Sequence, residues 1–278
     1  MGGRDAVTLV VREDLTTRRE LSKSQLVSAE MCQTAAWFDI HDRRPMLLDE
    51  KLTFGSAIDA GVEQYVWHAA RGQEAGSKPM QAALEVAARD AVDLPWQEVE
   101  VALASFRDGV LPKFVWTDAV VQPTVRADIP GLGPCSGHPD IILADGSVLD
   151  VKTSGRPKDP FSVELGFYAL LCEAAIDGAA GNPVPSVGYL CWVRLKTPYW
   201  QIAVADTTDE LRRFAMARAL AFARARDLDA HINEGEGSPV NYTLTGGPSR
   251  GWKCPTCQYA PTNGGRCEIA QLTKGETA

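Results

Sequence analysis

Hydrophobic positions fall into two regimes along this chain. From Ser24 to Val110 apolar residues recur at helical spacing, interrupted near Gly72–Pro79 and at Pro95. Ile58, Val62, Tyr65 and Ala69 form one such stripe, with Asp59 and Glu63 together on its flank. From Val120 the pattern shortens. Val120–Arg126 reads as a strand, and apolar runs on both sides of Asp145-Gly146 read as a hairpin from Asp140 to Lys152. Asp159-Pro160 has the form of an N-cap followed by proline, which predicts a helix over the next residues. Strands are expected at Val187–Leu195 and Tyr199–Val204, joined through Lys196-Thr197-Pro198. A long helix then opens at Asp206-Thr207-Thr208-Asp209-Glu210, whose acidic first turn suits the helix dipole. Leu211, Phe214, Ala215, Ala219 and Phe222 supply its apolar stripe. The first twenty residues read as an edge strand or arm, and Gly235–Gly251 as loop. The predicted fold is α/β, a mixed central sheet flanked by helices. One domain is expected over 1–278: a helical part at about 20–118, a core at about 119–233 and a cysteine-rich tail at about 250–270.

The hairpin concentrates the chemistry. Asp140 and Asp150 come together across the turn, and Asp150 and Lys152, two apart, share a face while Leu149 and Val151 take the other. Two carboxylates and an ammonium would then crowd one sheet edge. Carboxylate oxygens suit Mg²⁺ or Mn²⁺, and a lysine beside such an ion can orient water or offset charge on a phosphate. The plainer alternative is an exposed hairpin with a surface ion pair.

Composition changes this picture little. A 45% hydrophobic content over 278 residues supports a full core, and no apolar run is long enough for a membrane span. The net charge of −8 argues against a general basic coat for nucleic acid. A local patch is still available from Lys152, Arg156, Lys158, Arg194 and Lys196. Arginines on the later helix, at 212, 213, 218, 224 and 226, read mostly as its solvated face. Trp192, Tyr199 and Trp200 interleave with Arg194 and Lys196. That mix suits stacking on single-stranded bases, or a strand pair with half its aromatics in the core.

Asp140 with Asp150-Val151-Lys152 resembles the PD-(D/E)xK nuclease superfamily. In its RecB-like branch the first aspartate follows a G-x-x pattern, matched by Gly137-His138-Pro139-Asp140. A Q-x-x-x-Y helix follows, matched by Glu164 and Tyr168 with Glu in place of Gln. A G-x-x-x-H helix precedes, matched by Gly55 and Asp59 with Asp in place of His. The resemblance implies a restriction-endonuclease-like core, with Asp59, Asp140, Asp150 and the Val151 carbonyl as metal ligands and Lys152 acting on the nucleophile. Glu164 and Tyr168 would orient the DNA strand or a water. Glu63 is the other candidate on the helix, a solvated acidic face is the alternative for both, and His68 lies too far along to substitute.

Seven cysteines complete the set. Cys254-Pro255-Thr256-Cys257 and Cys267 cluster in a segment too rich in Pro, Gly and Asn for a core, where a metal or cluster is the usual staple. Exonucleases of the AddB, CRISPR-associated and phage type place one cysteine near the N-terminus and three after the nuclease core. Ser22–Cys32 resembles their N-terminal helix, although the gap before Cys267 is longer than theirs. The resemblance implies a [4Fe–4S] cluster on Cys32, Cys254, Cys257 and Cys267, joining the two ends of the chain. Structural Zn²⁺ is the competing occupant. With no signal peptide and an odd cysteine count, a reducing, cytoplasmic setting is expected rather than disulfides. Cys172 and Cys191 read as buried, and Cys135, just before Asp140, as a candidate reactive thiol.

The expected activity is a metal-dependent DNA exonuclease acting on single-stranded ends, in recombination, repair or CRISPR and phage DNA processing. The alternatives are a non-catalytic DNA-end-binding iron–sulfur module and a structure-selective endonuclease. Protein purified without oxygen should be brown and carry about four iron and four sulfide per chain. Cys32→Ala should lose colour and thermal stability together, because the binding energy of a closed site is folding energy. Zinc in place of iron would assign the four thiolates to a structural zinc site.

Overall fold

The computed structural model describes residues 20–32, 35–38, 49–175 and 183–233, with side chains to 226. The expected arm before Glu20, the Gly235–Gly251 loop and Cys254, Cys257 and Cys267 lie outside the described residues.

Helix α1 (Lys23–Met31) opens with a capping box, in which Ser22 Oγ accepts from the Gln25 N–H and Gln25 Oε1 from the Ser22 N–H. Helix α2 (Glu50–Ala69) is capped by Asp49, whose Oδ1 accepts from the Leu52 N–H at 2.8 Å. Helices α3 (Lys78–Asp90) and α4 (Trp96–Gly109) follow. The breaks between these three helices fall where Gly72–Pro79 and Pro95 predict them.

The strands are β1 (Leu21–Ser22), β2 (Val120–Val121), β3 (Val125–Ile129), β4 (Gly133–Gly137), β5 (Ile141–Ile142), β6 (Val148–Ser154), β7 (Ser186–Val193) and β8 (Tyr199–Asp206). Five form a sheet in the order β2-β5-β6-β7-β8, parallel only at β6–β7. Three form a smaller sheet, β1-β4-β3, in which β1 runs parallel to β4. The α/β class and the mixed sheet are as expected, but the strands divide between two sheets. The single strand expected at Val120–Arg126 is two strands, one in each sheet, because the chain breaks at Gln122 with φ 47°. The β3–β4 hairpin was hidden by Gly131-Leu132-Gly133-Pro134, which reads as loop; positive φ at Gly131 and Gly133 makes the turn.

Helix α5 (Val163–Ala175) starts later than Asp159-Pro160 suggests. Asp159 Oδ1 instead accepts from the Phe161 N–H at 2.9 Å, closing a local turn, and Ser162 Oγ caps the helix by accepting from the Leu165 N–H. Helix α6 (Asp209–Asn233) is the long C-terminal helix, with Thr208 Oγ1 accepting from the Leu211 N–H.

Two buried clusters lie on the two faces of the larger sheet. Val148, Val187, Tyr189, Cys191 and Val193 pack with α1, α5, α6 and the smaller sheet. Leu149, Val151, Leu190 and Trp192 pack with α2, α3 and α4. Period-two alternation thus assigns each residue of β6 and β7 to one helical layer. Gly188 on β7 marks the tightest approach to β8: an added Cβ would stand 2.8 Å from the Ala203 carbonyl oxygen and 2.6 Å from Val204 Cγ2. Gly188→Ala should therefore destabilise the fold by about 1–3 kcal/mol, seen as a lower urea midpoint. A parental midpoint would show that the strand pair has room to move.

Candidate active site

The hairpin turns where expected. Gly146 has φ 90°, its N–H donates to the Leu143 carbonyl at 2.9 Å, and Asp145 Oδ1 accepts from the Ser147 N–H. Pairing of Ile141 with Leu149 then sets Asp140 opposite Asp150, one step beyond the end of β5. The ladder stops there, and Asp140 Oδ2 takes the Val151 N–H at 2.7 Å in place of a backbone carbonyl. Asp140 also sits where the chain passes from the smaller sheet into the larger. A second crossing, between β2 and β3, runs alongside: the Gln122 N–H donates to the Asp140 carbonyl at 2.7 Å, and Thr124 Oγ1 lies 3.3 Å from His138 Nδ1.

The sequence places these carboxylates at a sheet edge, and the structure corrects that. Strand β7 lies parallel against β6, making β6 the third strand of five and leaving Asp150 with 0% exposure. This excludes the surface-hairpin alternative.

Two glycines bring the neighbouring helices in. A Cβ at Gly55 would stand 3.0 Å from Thr153 Oγ1, so the missing side chain lets α2 approach the end of β6, with Asp59 one turn further on. A Cβ at Gly137 would stand 3.0 Å from Tyr168 Cε1 and from Leu171 Cδ2. That closeness lets α5 pack under the Asp140 segment. Tyr168 is fully buried, and its hydroxyl donates to the His138 carbonyl at 2.6 Å. It holds the loop that carries Asp140, and its 0% exposure keeps it from the surface a DNA strand would meet.

Charge alternates through the site. The Lys152 ammonium contacts Asp150 Oδ2 and lies 3.4 Å from Glu164 Oε1. The same Glu164 oxygen accepts from Lys23 Nζ at 2.7 Å. Glu164 Oε2 accepts from the Tyr189 hydroxyl at 3.1 Å, which in turn lies 2.9 Å from Ser162 Oγ. Burial opposes the Lys152 ammonium, but Asp150, Glu164 and Asp140 outweigh it and hold its pKa above the ordinary lysine value. Burial likewise opposes the Glu164 carboxylate, yet Lys152 and Lys23 hold it down at about 2. Asp59 and Asp140 are pushed up to about 6 by burial first, with the charge of Asp150 adding at Asp59 and that of Asp59 adding at Asp140. Burial also raises Asp150. Three carboxylates with raised pKa values that feel one another's charge form a centre short of positive charge.

The donor chemistry there fits a hard divalent ion. Asp150 Oδ1 is buried without a hydrogen-bond partner, an expensive state that a cation would relieve. Among the described residues, no three or more Asp, Glu, His or Cys side chains already stand as a metal cage. Mg²⁺ commonly takes only one or two carboxylates and keeps several waters. Asp140, Asp150 and the Val151 carbonyl are the set that would hold it, with Asp59 close enough to couple to both carboxylates. Glu63 is raised by burial alone, which sets it apart from Asp59.

Other expected contributors land elsewhere. Trp192 is 1% exposed and Trp200 donates its Nε1–H to the Ala102 carbonyl at 2.8 Å, with the two rings 5.7 Å apart in the core. This is the strand pair with part of its aromatics in the core: Trp192 is buried, Trp200 half-buried on α4, and Tyr199 stays exposed. Arg194 is held by both oxygens of Glu98 at 2.8 Å and lies over Phe54. On α6, Arg212 pairs with Glu173 and Arg218 with Glu30. An open groove of about 1470 Å³ adjoins the site, lined in part by Gly55, Thr153, Ser154, Lys51, Arg194 and Lys196. Cys135 is buried with its thiol pushed up to about 12, which removes the reactive-thiol alternative. Cys172 and Cys191 are buried as expected. Cys32 is half-buried at the C-cap of α1. Lys23 and Tyr189 were missed. Lys23 falls in the Ser22–Cys32 stretch, which was read for its cysteine, and it is 141 positions from Glu164, so no local signal marks the contact.

A solved structure from Eubacterium rectale named "Putative exonuclease" matches over 96% of this chain and 98% of its own, with a TM-score of 0.56 at 12% identity. That of SSO0001 covers 85% of this chain and 95% of its own at 14% identity, and its TM-score of 0.32 is too low to bear on the fold. No family model and no curated protein matches the sequence. At 12% identity the first likeness shows a shared fold. No helix among the described residues is long and apolar enough to cross a membrane.

The raised carboxylates make stability depend on pH. Asp59 and Asp140 bind protons more tightly folded than unfolded, so their contribution is full below about pH 4 and is lost as pH rises through about 6. Glu164 works the other way, and its contribution fades only as pH falls toward 2. In EDTA the melting temperature should fall by several degrees between about pH 5 and pH 7.5, and Mg²⁺ or Mn²⁺ should restore it at the higher pH. Asp59→Asn with Asp140→Asn should reduce that slope, leaving the part carried by Asp150, which burial pushes up to about 8. An unchanged slope in the double variant would show that other groups carry it.

Proposed function

We propose that this protein is a divalent-metal-dependent DNA exonuclease that hydrolyses phosphodiester bonds at single-stranded DNA ends. The observation that carries the reading is the meeting of Asp140, Asp150 and Lys152 at one buried point, with an Asp150 oxygen left unsatisfied. The name of the Eubacterium rectale protein, "Putative exonuclease", agrees with it. Asp140, Asp150 and the Val151 carbonyl would hold Mg²⁺ or Mn²⁺, with Asp59 contributing charge. A bound ion would supply a water of lowered pKa and offset charge on the scissile phosphate. Lys152 presents its ammonium to the attacking water or the phosphate, and Glu164 keeps that ammonium from collapsing wholly onto Asp150. Tyr168 keeps Asp140 in register through the His138 carbonyl. The DNA strand would lie in the groove beside Thr153 and Ser154, near Lys51 and Lys196. Cys32, Cys254, Cys257 and Cys267 would carry a [4Fe–4S] cluster with a structural role, since hydrolysis needs no electron transfer.

End-labelled linear single strands beside closed circular ones, with Mg²⁺ or Mn²⁺, test the reading. Linear strands should shorten from an end, and circles should stay intact. Asp150→Ala and Lys152→Ala should each lower the rate by about a hundredfold or more while the protein stays folded. A parental rate in Lys152→Ala would refute the assignment. Efficient nicking of circles would make the protein an endonuclease, and binding without cleavage a DNA-end-binding module.

A further inference from the structure

Glu164 Oε1 stands between two ammonium groups, Lys23 at 2.7 Å and Lys152 at 3.4 Å. The three side chains are largely shielded, at 20% for Lys23, 27% for Lys152 and 12% for Glu164. Lys23 also lies 5.0 Å above the Tyr168 ring, on the helix face that carries Glu164. It is the first residue of α1, and the capping box at Ser22 and Gln25 fixes the start of that helix. Strand β1 ties the preceding residue, Ser22, to Ser136, one position before Gly137. Lys23 is thereby held on two sides, by the smaller sheet and by α5.

We propose that Lys23 is a positioning residue for Lys152, acting through Glu164. A partly buried carboxylate shared by two cations is satisfied by the nearer one and leaves the other free to face Asp150. Without Lys23, Glu164 has Lys152 as its one remaining cation in the ion-pair chain, and the Lys152 ammonium is drawn from Asp150 toward Glu164. The shift would disturb the group that meets water or phosphate while leaving the groove unchanged. This rests on the nuclease reading for its kinetic consequence, and on geometry alone for the displacement of Lys152.

Two measurements test it. In DNA cleavage with Mg²⁺, Lys23→Met should lower kcat by about tenfold or more with KM changed less than about twofold, and Lys23→Arg should recover most of the rate. In a Glu164→Gln background Lys23→Met should cause no further loss, because the interaction it removes is already gone. Parental kcat in Lys23→Met, or an equal loss in both backgrounds, would overturn the proposal. The second measurement is independent of activity: in ¹⁵N NMR of the lysine ammonium groups, the Lys152 resonance should move in Lys23→Met. If the parent protein cleaves no DNA, the nuclease reading fails, and an unmoved Lys152 resonance would still overturn the positioning role. Should Lys23→Met not fold, Lys23→Gln carries the same comparisons.

Discussion

A carboxylate with no solvent exposure, Asp150 at the centre of a five-stranded sheet, is the constraint around which this molecule is arranged. An unpaired charge there would cost several kcal/mol, so the carboxylate is either protonated or faced by a cation. Lys152 faces it, and is itself deep enough to need a counter-charge beyond Asp150. Glu164 supplies that, and Lys23 completes a chain of alternating sign running from β6 through α5 to α1. Elements far apart in sequence are thus docked by the same electrostatic requirement. The unsatisfied Asp150 oxygen is the point at which protein groups alone do not complete it.

The site lies where two sheets exchange strands. Chain crossings between sheets leave ladder positions unfilled, and here a side chain fills one: Asp140 receives the Val151 N–H that β5 is too short to take. The two crossings brace each other through Gln122 and Thr124. Close approach of α2 and α5 depends on the absence of a Cβ at Gly55 and Gly137. Those glycines stand at the head of the two motifs that bear Asp59 and Asp140, which gives the motif spacing a steric meaning: a contact glycine, then a carboxylate a short step further along.

Under the proposed reading, an acidic chain must find its positive charge for DNA locally. Several candidates are already engaged in ion pairs, Arg194 with Glu98, Arg212 with Glu173, Arg218 with Glu30. The groove beside Thr153 and Ser154 keeps Lys51 and Lys196 on its walls along with acidic neighbours. Under that reading, affinity for a strand would lean on a bound divalent ion more than on a basic surface.

The sequence by itself determined the helical run to Val110, the turn at Asp145-Gly146, and the alternation that puts Asp150 with Lys152 and Leu149 with Val151. These follow from local rules of period and turn chemistry, which need only neighbours a few residues apart. Tertiary structure decided the rest. It placed β6 inside the sheet rather than at its edge, because the partner on its far side, β7, arrives by a crossover through α5. It turned Trp192 and Trp200 inward, split Val120–Arg126 between two sheets, and moved the helix start from Asp159 to the Ser162 cap. Above all it brought Lys23 and Tyr189 to Glu164. Each of those choices depends on which distant surface a residue meets, and spacing along the chain carries no record of that.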